Sequence, residues 1–200
     1  MAIALGKWPT LFLLTVAELL VMALWFSASA VLPQLTVLWN LTPVEQAGMT
    51  ISVQLGFVCG ALASALTNLP DRIRPSRLIP LASFLGAGAT AWIALAAPGT
   101  LPTLALRFVT GAAMAGVYPP GMKLVASWTR RKRGLAIGLL VGGLAVGSAL
   151  PHLVAALTGG GEFLPWSPVL LWCSALAAAG GLLVWLFVRE GPRARRSCSP

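Results

Sequence analysis

Three ionisable side chains, Glu18, Arg107 and Lys123, fall inside apolar runs long enough to cross a membrane. A charge near the middle of such a run costs about 2.5 to 3.5 kcal/mol by insertion scales, so each of the three needs a partner or a task. Glu18 stands about seven residues from the start of one run and Lys123 about five from the end of another. At about 1.5 Å per residue their depths differ by only a few ångströms. That placement lets them pair, either as a neutralising couple or as a gate that exchanges a proton, and the long lysine stem also allows the ammonium to snorkel to the aqueous edge. Arg107 enters near the opposite face, at roughly the depth of His152 on the following run. A guanidinium is a planar fork suited to a carboxylate- or nitrate-like anion, and imidazole titrates near neutrality. The plainer alternatives are an interfacial arginine and a histidine satisfied locally. Gln54, Tyr118 and Gln34 are further polar candidates for the same vestibule.

Enzyme chemistry finds little support. Ser148 and His152 lie four residues apart on one helix face, whereas a membrane serine hydrolase needs nucleophile and base on separate elements beside a preformed oxyanion site. The sequence has no phosphate-cradling loop, dinucleotide glycine fingerprint or metal-ligand spacing. Neither a metal nor a cofactor is therefore expected.

The elements that must hold these groups are membrane helices. Of 200 residues, 58% are apolar and 10% charged, too little polar surface for a water-soluble domain of this size. At about 20 residues per span there is room for six, read as 11–32, 47–69, 78–97, 102–128, 134–157 and 168–188, with 189–200 a basic tail. The net charge of +9 resembles that of a nucleic-acid binder, but its placement argues otherwise. Apart from Arg107 and Lys123, every Lys and Arg belongs to one of four clusters: Lys7; Arg72, Arg74 and Arg77; Arg130 to Arg133; and Arg189, Arg193, Arg195 and Arg196. These are alternate loops and both ends of the chain, so the positive-inside rule puts both termini in the cytoplasm, with the basic rim against anionic lipid. No nucleic-acid partner is expected. Trp8, Trp39, Trp128 and Trp166 fall at the water boundaries where amphipathic rings are favoured. Lys7, the first apolar run and Ala28-Ser29-Ala30 imitate a signal peptide, but the run exceeds the roughly 7 to 15 residues of a signal core and reads as a retained helix. Cys59, Cys173 and Cys198 show no pairing pattern, and the first two read as buried small residues.

Small residues recur at helical spacing. Gly134, Gly138 and Gly142 form one strip of the fifth span, and Gly143, Gly147 and Pro151 a second; Gly56, Gly60 and Ser64 offer a counterpart on the second, Gly111 and Ala115 on the fourth. With little hydrophobic drive between helices in lipid, such strips permit close backbone packing, for a static bundle or for helices that rock. Pro119-Pro120 should kink the fourth span by removing backbone donors.

Taken together, these residues resemble the amino-terminal half of a major facilitator superfamily transporter. The resemblance rests on Arg107-Phe108-Val109-Thr110-Gly111, on the run from Ala115 through Tyr118-Pro119-Pro120-Gly121 to Trp128, and on Asp71-Arg72 followed by Arg74 and Arg77 in the loop between the second and third spans. The second of these is similar to the nitrate/nitrite and cyanate-type branch. The loop departs from the family pattern at Thr67, Arg74 and Pro75. The Gly-Pro of the antiporter pattern is Gly142-Gly143 here, so antiport is not implied. The resemblance implies an all-α membrane protein, a six-helix half-bundle built as a 3+3 inverted repeat in the plasma or inner membrane. It implies secondary transport of a small polar or anionic solute by alternating access, Arg107 lining the central cavity and Asp71, Arg72, Arg74 and Arg77 forming a cytoplasmic latch. Substrate in this family is held between two halves, so the expected partner, besides the bilayer and solute, is a second six-helix half or a second copy. In the latter case the glycine face of one copy would meet Gly56, Gly60 and Ser64 of the other. The alternatives are a non-transporting remnant or assembly partner of the same fold and, less supported, an intramembrane enzyme.

Overall fold

A computed structural model describes residues 6–129, 133–158 and 166–191. The basic turn Arg130 to Lys132, the Gly159-Gly160-Gly161 turn and the tail from Pro192, with Cys198, lie outside these residues; of Arg133 only the backbone is described. The described residues form nine helices and no strand: α1 Lys7–Trp39, α2 Pro43–Leu66, α3 Leu69–Arg72, α4 Pro75–Ala96, α5 Thr100–Met114, α6 Tyr118–Trp128, α7 Arg133–Gly147, α8 Leu150–Thr158 and α9 Trp166–Phe187. Six spans have the length and apolarity to cross a bilayer: α1, α2, α4, α5 with α6, α7 with α8, and α9. The all-helical, six-span expectation holds.

Local chemistry sets the ends. Asn40 in the left-handed region stops α1, a conformation asparagine tolerates. Thr42 then caps α2 in a capping box: its Oγ1 accepts from Glu45 N at 3.3 Å while Glu45 Oε2 accepts from Thr42 N at 2.8 Å, with Pro43 pre-shaped for the first turn. Asn68 makes the left-handed turn into α3, and Ala97 with Gly99 (φ 85) turns α4 into α5. Proline breaks two spans. The regular α-helical hydrogen bonding gives way to turns at 115–117, just before Pro119-Pro120, and at 148–149, just before Pro151.

Helix packing follows a simple symmetry. The main neighbours are α1 with α9, α2 with α5, α4 with α9, α1 with α7, and α4 with α5. Exchanging the first three spans for the last three maps this set onto itself: the α2–α5 contact becomes the α7–α1 contact, and α1–α9 becomes α5–α4. Because three is odd, the two triplets run in opposite directions through the bundle, which is an inverted 3+3 arrangement. The core follows α1, whose Leu14, Ala17, Val21 and Leu24 join Ile79, Met114, Leu140, Ala177 and Val184. A second cluster around Val31, Leu35, Met49, Ile93 and Cys173 fills the other end. Large apolar side chains point outward, Phe12, Leu62, Trp92, Leu101 and Trp172 among them, a surface that only lipid or another apolar protein face tolerates.

Coverage of the helices is uneven. In the most apolar stretch of each span, 22% of α2 and 28% of the α7–α8 span is buried, against 44 to 61% for the other four. α2 and α7 therefore border the open side of the bundle.

Candidate functional site

Arg107 is anchored by α5 and is 2% exposed. Its Nη1 donates to the Leu24 carbonyl at 2.9 Å and to Ser27 Oγ at 3.3 Å, Nη2 to the Trp25 carbonyl at 2.7 Å, and Nε to the Met49 carbonyl at 3.4 Å. The guanidinium thus ties α5 to both α1 and α2. All four acceptors are neutral, and among the described residues no carboxylate lies within ion-pair distance. A guanidinium carries five N–H groups, so one donor on Nη2 remains. One turn earlier on the same face of α5 stands Thr103, 1% exposed, whose Oγ1 has no hydrogen-bond partner in the described structure. Helical side chains lean toward the N-terminus of their helix, which inclines Arg107 toward the level of Thr103. A buried cation without a counter-anion and a buried hydroxyl without a partner share one helix face. Neither Thr103 nor Ser27 was singled out from the sequence, although Thr103 lies four residues before Arg107, a spacing that signals a shared face.

The expected pairing of Glu18 with Lys123 does not form. Glu18, 3% exposed on α1, has no hydrogen-bond partner for either carboxylate oxygen among the described residues. Its Oε1 lies against Gly121 of α6, where any Cβ would collide with it. Lys123 points to the rim instead, donating to the Pro70 carbonyl at 2.8 Å and pairing with Asp71. The lysine stem is long enough to carry its charge out of the apolar interior, and Glu18 faces the bundle core.

The loop residues sit together at this same end. Asp71 and Arg72 are on α3, Arg74 precedes α4 and Arg77 lies in its first turn, all exposed. Nearby, Ser76 Oγ donates to Glu190 Oε1 at 3.3 Å, Trp128 Nε1 to the Arg189 carbonyl at 2.9 Å, and Gly191 N to Ser127 Oγ at 3.0 Å. At the opposite end Trp39 meets Trp166 edge-on at 5.7 Å, and Ser167 Oγ donates to the Ala94 carbonyl at 2.7 Å.

The remaining candidates do not converge on Arg107. His152 is exposed on α8 and Gln54 exposed on α2, while Gln34 is half-buried on α1. Tyr118 opens α6 half-buried, packed on the main core. Cys173 is buried, but Cys59 is exposed on α2, against expectation; it belongs to the poorly covered side of that helix.

The glycines divide by use. Gly56 abuts the Phe108 backbone, Gly60 that of Ala112, and Gly111 that of Val53 and Phe57, so the α2–α5 crossing has no room for a Cβ. This corrects the expected docking of a second copy on Gly56, Gly60 and Ser64: the two glycines are covered within the chain, and Ser64 is buried. Gly143 and Gly147 are likewise filled, against Thr15, Leu19 and Met22 of α1, whereas Gly134, Gly138 and Gly142 face open space. Gly180 and Gly181 of α9, against Ala17 and Ser83, do the same work and were signalled only by a Gly-Gly pair in an apolar run.

The profile of the Major Facilitator Superfamily matches residues 14–199. The chain belongs to that superfamily. As a member it is a multi-pass membrane protein of a transport family, and its six spans fit the amino-terminal half-bundle of a superfamily transporter. The match is to the superfamily as a whole, not to its nitrate/nitrite or cyanate-type branch. Among curated proteins, none matches the sequence.

Proposed function

We propose that this chain acts as one six-helix half of a secondary transporter, moving a small polar or anionic solute by alternating access. The observation that carries the solute class is the α5 face where, among the described residues, the Arg107 guanidinium lacks a counter-anion and the Thr103 hydroxyl lacks a hydrogen-bond partner. A buried charge held only by neutral acceptors is costly, and a small anion that accepts from Nη2 and from the threonine hydroxyl would offset that cost. The second half, another six-helix unit or a second copy, covers the open side between α2 and α7, leaving solute between the halves near the midplane. The basic end, with Lys7, Arg72, Arg74, Arg77, Lys123 and Arg189, faces the cytoplasm of the plasma or inner membrane, and Asp71 with Lys123 latches α3 to α6 there.

The test is uptake by proteoliposomes of a panel of labelled small anions and neutral polar solutes. Wild type should accumulate at least one anion, and Arg107→Ala should reduce that uptake at least tenfold, the effect of losing about 1.4 kcal/mol of differential binding. Thr103→Val should weaken it less. A wild type inert toward every solute, with or without a co-reconstituted second half, would favour a non-transporting assembly protein.

A further inference from the structure

Two helices enter the bundle side by side from the end that carries the Trp39–Trp166 pair. α2 and α5 run parallel, Gly48 meeting Leu104, Gly56 meeting Phe108 and Gly60 meeting Ala112, so their first turns stand level. The free N–H groups of a helix start attract an anion, and α2 carries its own: Glu45 Oε2 accepts from Thr42 N at 2.8 Å while Thr42 Oγ1 accepts from Glu45 N at 3.3 Å. α5 has no such arrangement. Its first turn holds no acidic residue, Gly99 offers no side chain to cap it, and a Cβ placed at Gly99 would meet nothing within 4 Å. Thr103 N donates to the Gly99 carbonyl at 3.2 Å, and Pro102 has no N–H. The N–H groups of Thr100 and Leu101 are therefore left without an acceptor among the described residues. They lie at the surface, where Leu101 is 78% exposed.

Below these donors on the same face stands Thr103. Residues three apart on a helix are neighbours, and the Cα–Cβ bond tilts toward the helix N-terminus, so this side chain tips toward the turn that carries the two N–H groups. A threonine inside a helix readily donates to the carbonyl four residues back, as Thr10, Thr15, Thr36 and Thr110 do in this chain. Thr103 does not: it is 1% exposed, and its Oγ1 has no hydrogen-bond partner among the described residues. The one hydroxyl proton at this depth is thus kept for another acceptor. A further turn inward, about 6 Å at about 1.5 Å per residue, comes Arg107 with its remaining Nη2 donor. The nearby acid of α2, Glu45, is committed to Thr42.

We propose that the start of α5 binds a small oxoanion or carboxylate through the N–H groups of Thr100 and Leu101 and the Thr103 hydroxyl, as an outer stop on the way to Arg107. Its place on that path rests on the transport reading above; the binding itself does not. A threonine hydroxyl has a single proton to donate, so Thr103 serves one stop at a time, outward with the helix start or inward with Nη2. Rotation about its Cα–Cβ bond passes the anion down one turn. The two stops differ in strength. A helix start presents only about half a unit of positive charge, which suits capture and rapid exchange, whereas Arg107 presents a full charge in a buried setting.

The site can be tested without transport, by nuclear magnetic resonance of the isotope-labelled full chain in a maltoside detergent. Sodium formate and sodium nitrate should each shift the amide resonances of Thr100 and Leu101 saturably. Those of Thr42 and Glu45, at the level start of α2 that already holds a carboxylate, should stay in place and so control for salt. Proline is accepted at the first position of a helix, so Thr100→Pro removes one donor and keeps the turn; Thr103→Val keeps the shape and removes the hydroxyl. Each should weaken binding about tenfold, the effect of one lost hydrogen bond to a charged group, and resonances unchanged elsewhere show that the variant has folded. A lipid phosphate offers the same oxoanion chemistry, so phosphatidylglycerol is titrated in a parallel series. The proposal is overturned by the absence of a saturable shift, by an equal shift at the start of α2, by a shift that both variants leave intact, or by one that phosphatidylglycerol produces and neither formate nor nitrate does. Such a failure would leave the Arg107 uptake result standing, and an inert uptake assay would leave the titration standing.

Discussion

Lys123 and Asp71 form an ion pair whose side chains are 44% and 71% exposed. Water screens such a pair, so it contributes about 0.2 to 1 kcal/mol and less at high salt. Asp71→Asn should therefore lower thermal stability in detergent by no more than about 1 kcal/mol, with the difference shrinking along a salt series. A larger, salt-insensitive loss would mean that the pair holds α3 and α6 by more than electrostatics. The residue scale is also where the sequence was least informative. The cost of burying Glu18 and Arg107 is legible from composition alone, but their surroundings are not. The partners of Arg107 are chiefly backbone carbonyls, which every residue possesses and no sequence pattern marks. For Lys123 the sequence left pairing with Glu18 and snorkelling side by side, and the structure shows the second, because depth along a span fixes where a Cα lies and says nothing of where a flexible four-carbon stem ends.

Between elements, glycine spacing identified strips but not their partners. Gly56 and Gly138 have equal standing in the sequence, yet one presses on the Phe108 backbone and the other faces open space. Gly56→Ala should cost about 1 to 3 kcal/mol as α5 is forced away, whereas Gly138→Ala should stay within about 0.5 kcal/mol of wild type. Comparing the two by thermal unfolding checks the α2–α5 crossing directly, and equal losses would contradict it. The prolines were more informative. A proline removes the hydrogen bond to the carbonyl four residues earlier, so Pro119 and Pro120 release Ala115 and Gly116, and Pro151 releases Gly147, which is where α5 and α7 give way. The start of α2, by contrast, was written in Thr42, Pro43 and Glu45.

For the whole molecule, six apolar runs were enough to anticipate an all-helical, six-span membrane protein, whereas the superfamily was implied by the resemblance of the stretches around Asp71, Arg107 and Tyr118. The mapping of the first three spans onto the last three was implied by the resemblance and appears here in which helices touch. What no local pattern revealed is which side stays uncovered, because that depends on how all six helices share their contacts. The described basic residues at the rim, from Lys7 to Arg189, gather at the end opposite the Trp39–Trp166 pair. A phosphatase that matures only outside the cytoplasm, inserted after Gly99, should therefore be active, and a fluorescent reporter at the same site should be dark. The reverse result would invert the bundle and remove the cytoplasmic assignment of the latch.

The length of α1 has a bearing on where the protein can reside. Its 33 residues extend about 50 Å, and Trp8 and Trp39, near its two tips, are separated by about 46 Å at about 1.5 Å per residue. A bilayer measures about 40 to 45 Å from headgroup to headgroup around a hydrocarbon slab of about 30 Å. With a typical lean of about 20°, the two indoles reach both headgroup layers at once. The first helix thus works as a dipstick for membrane thickness: in a thinner sheet one indole must rise into bulk water or the whole bundle must lean further.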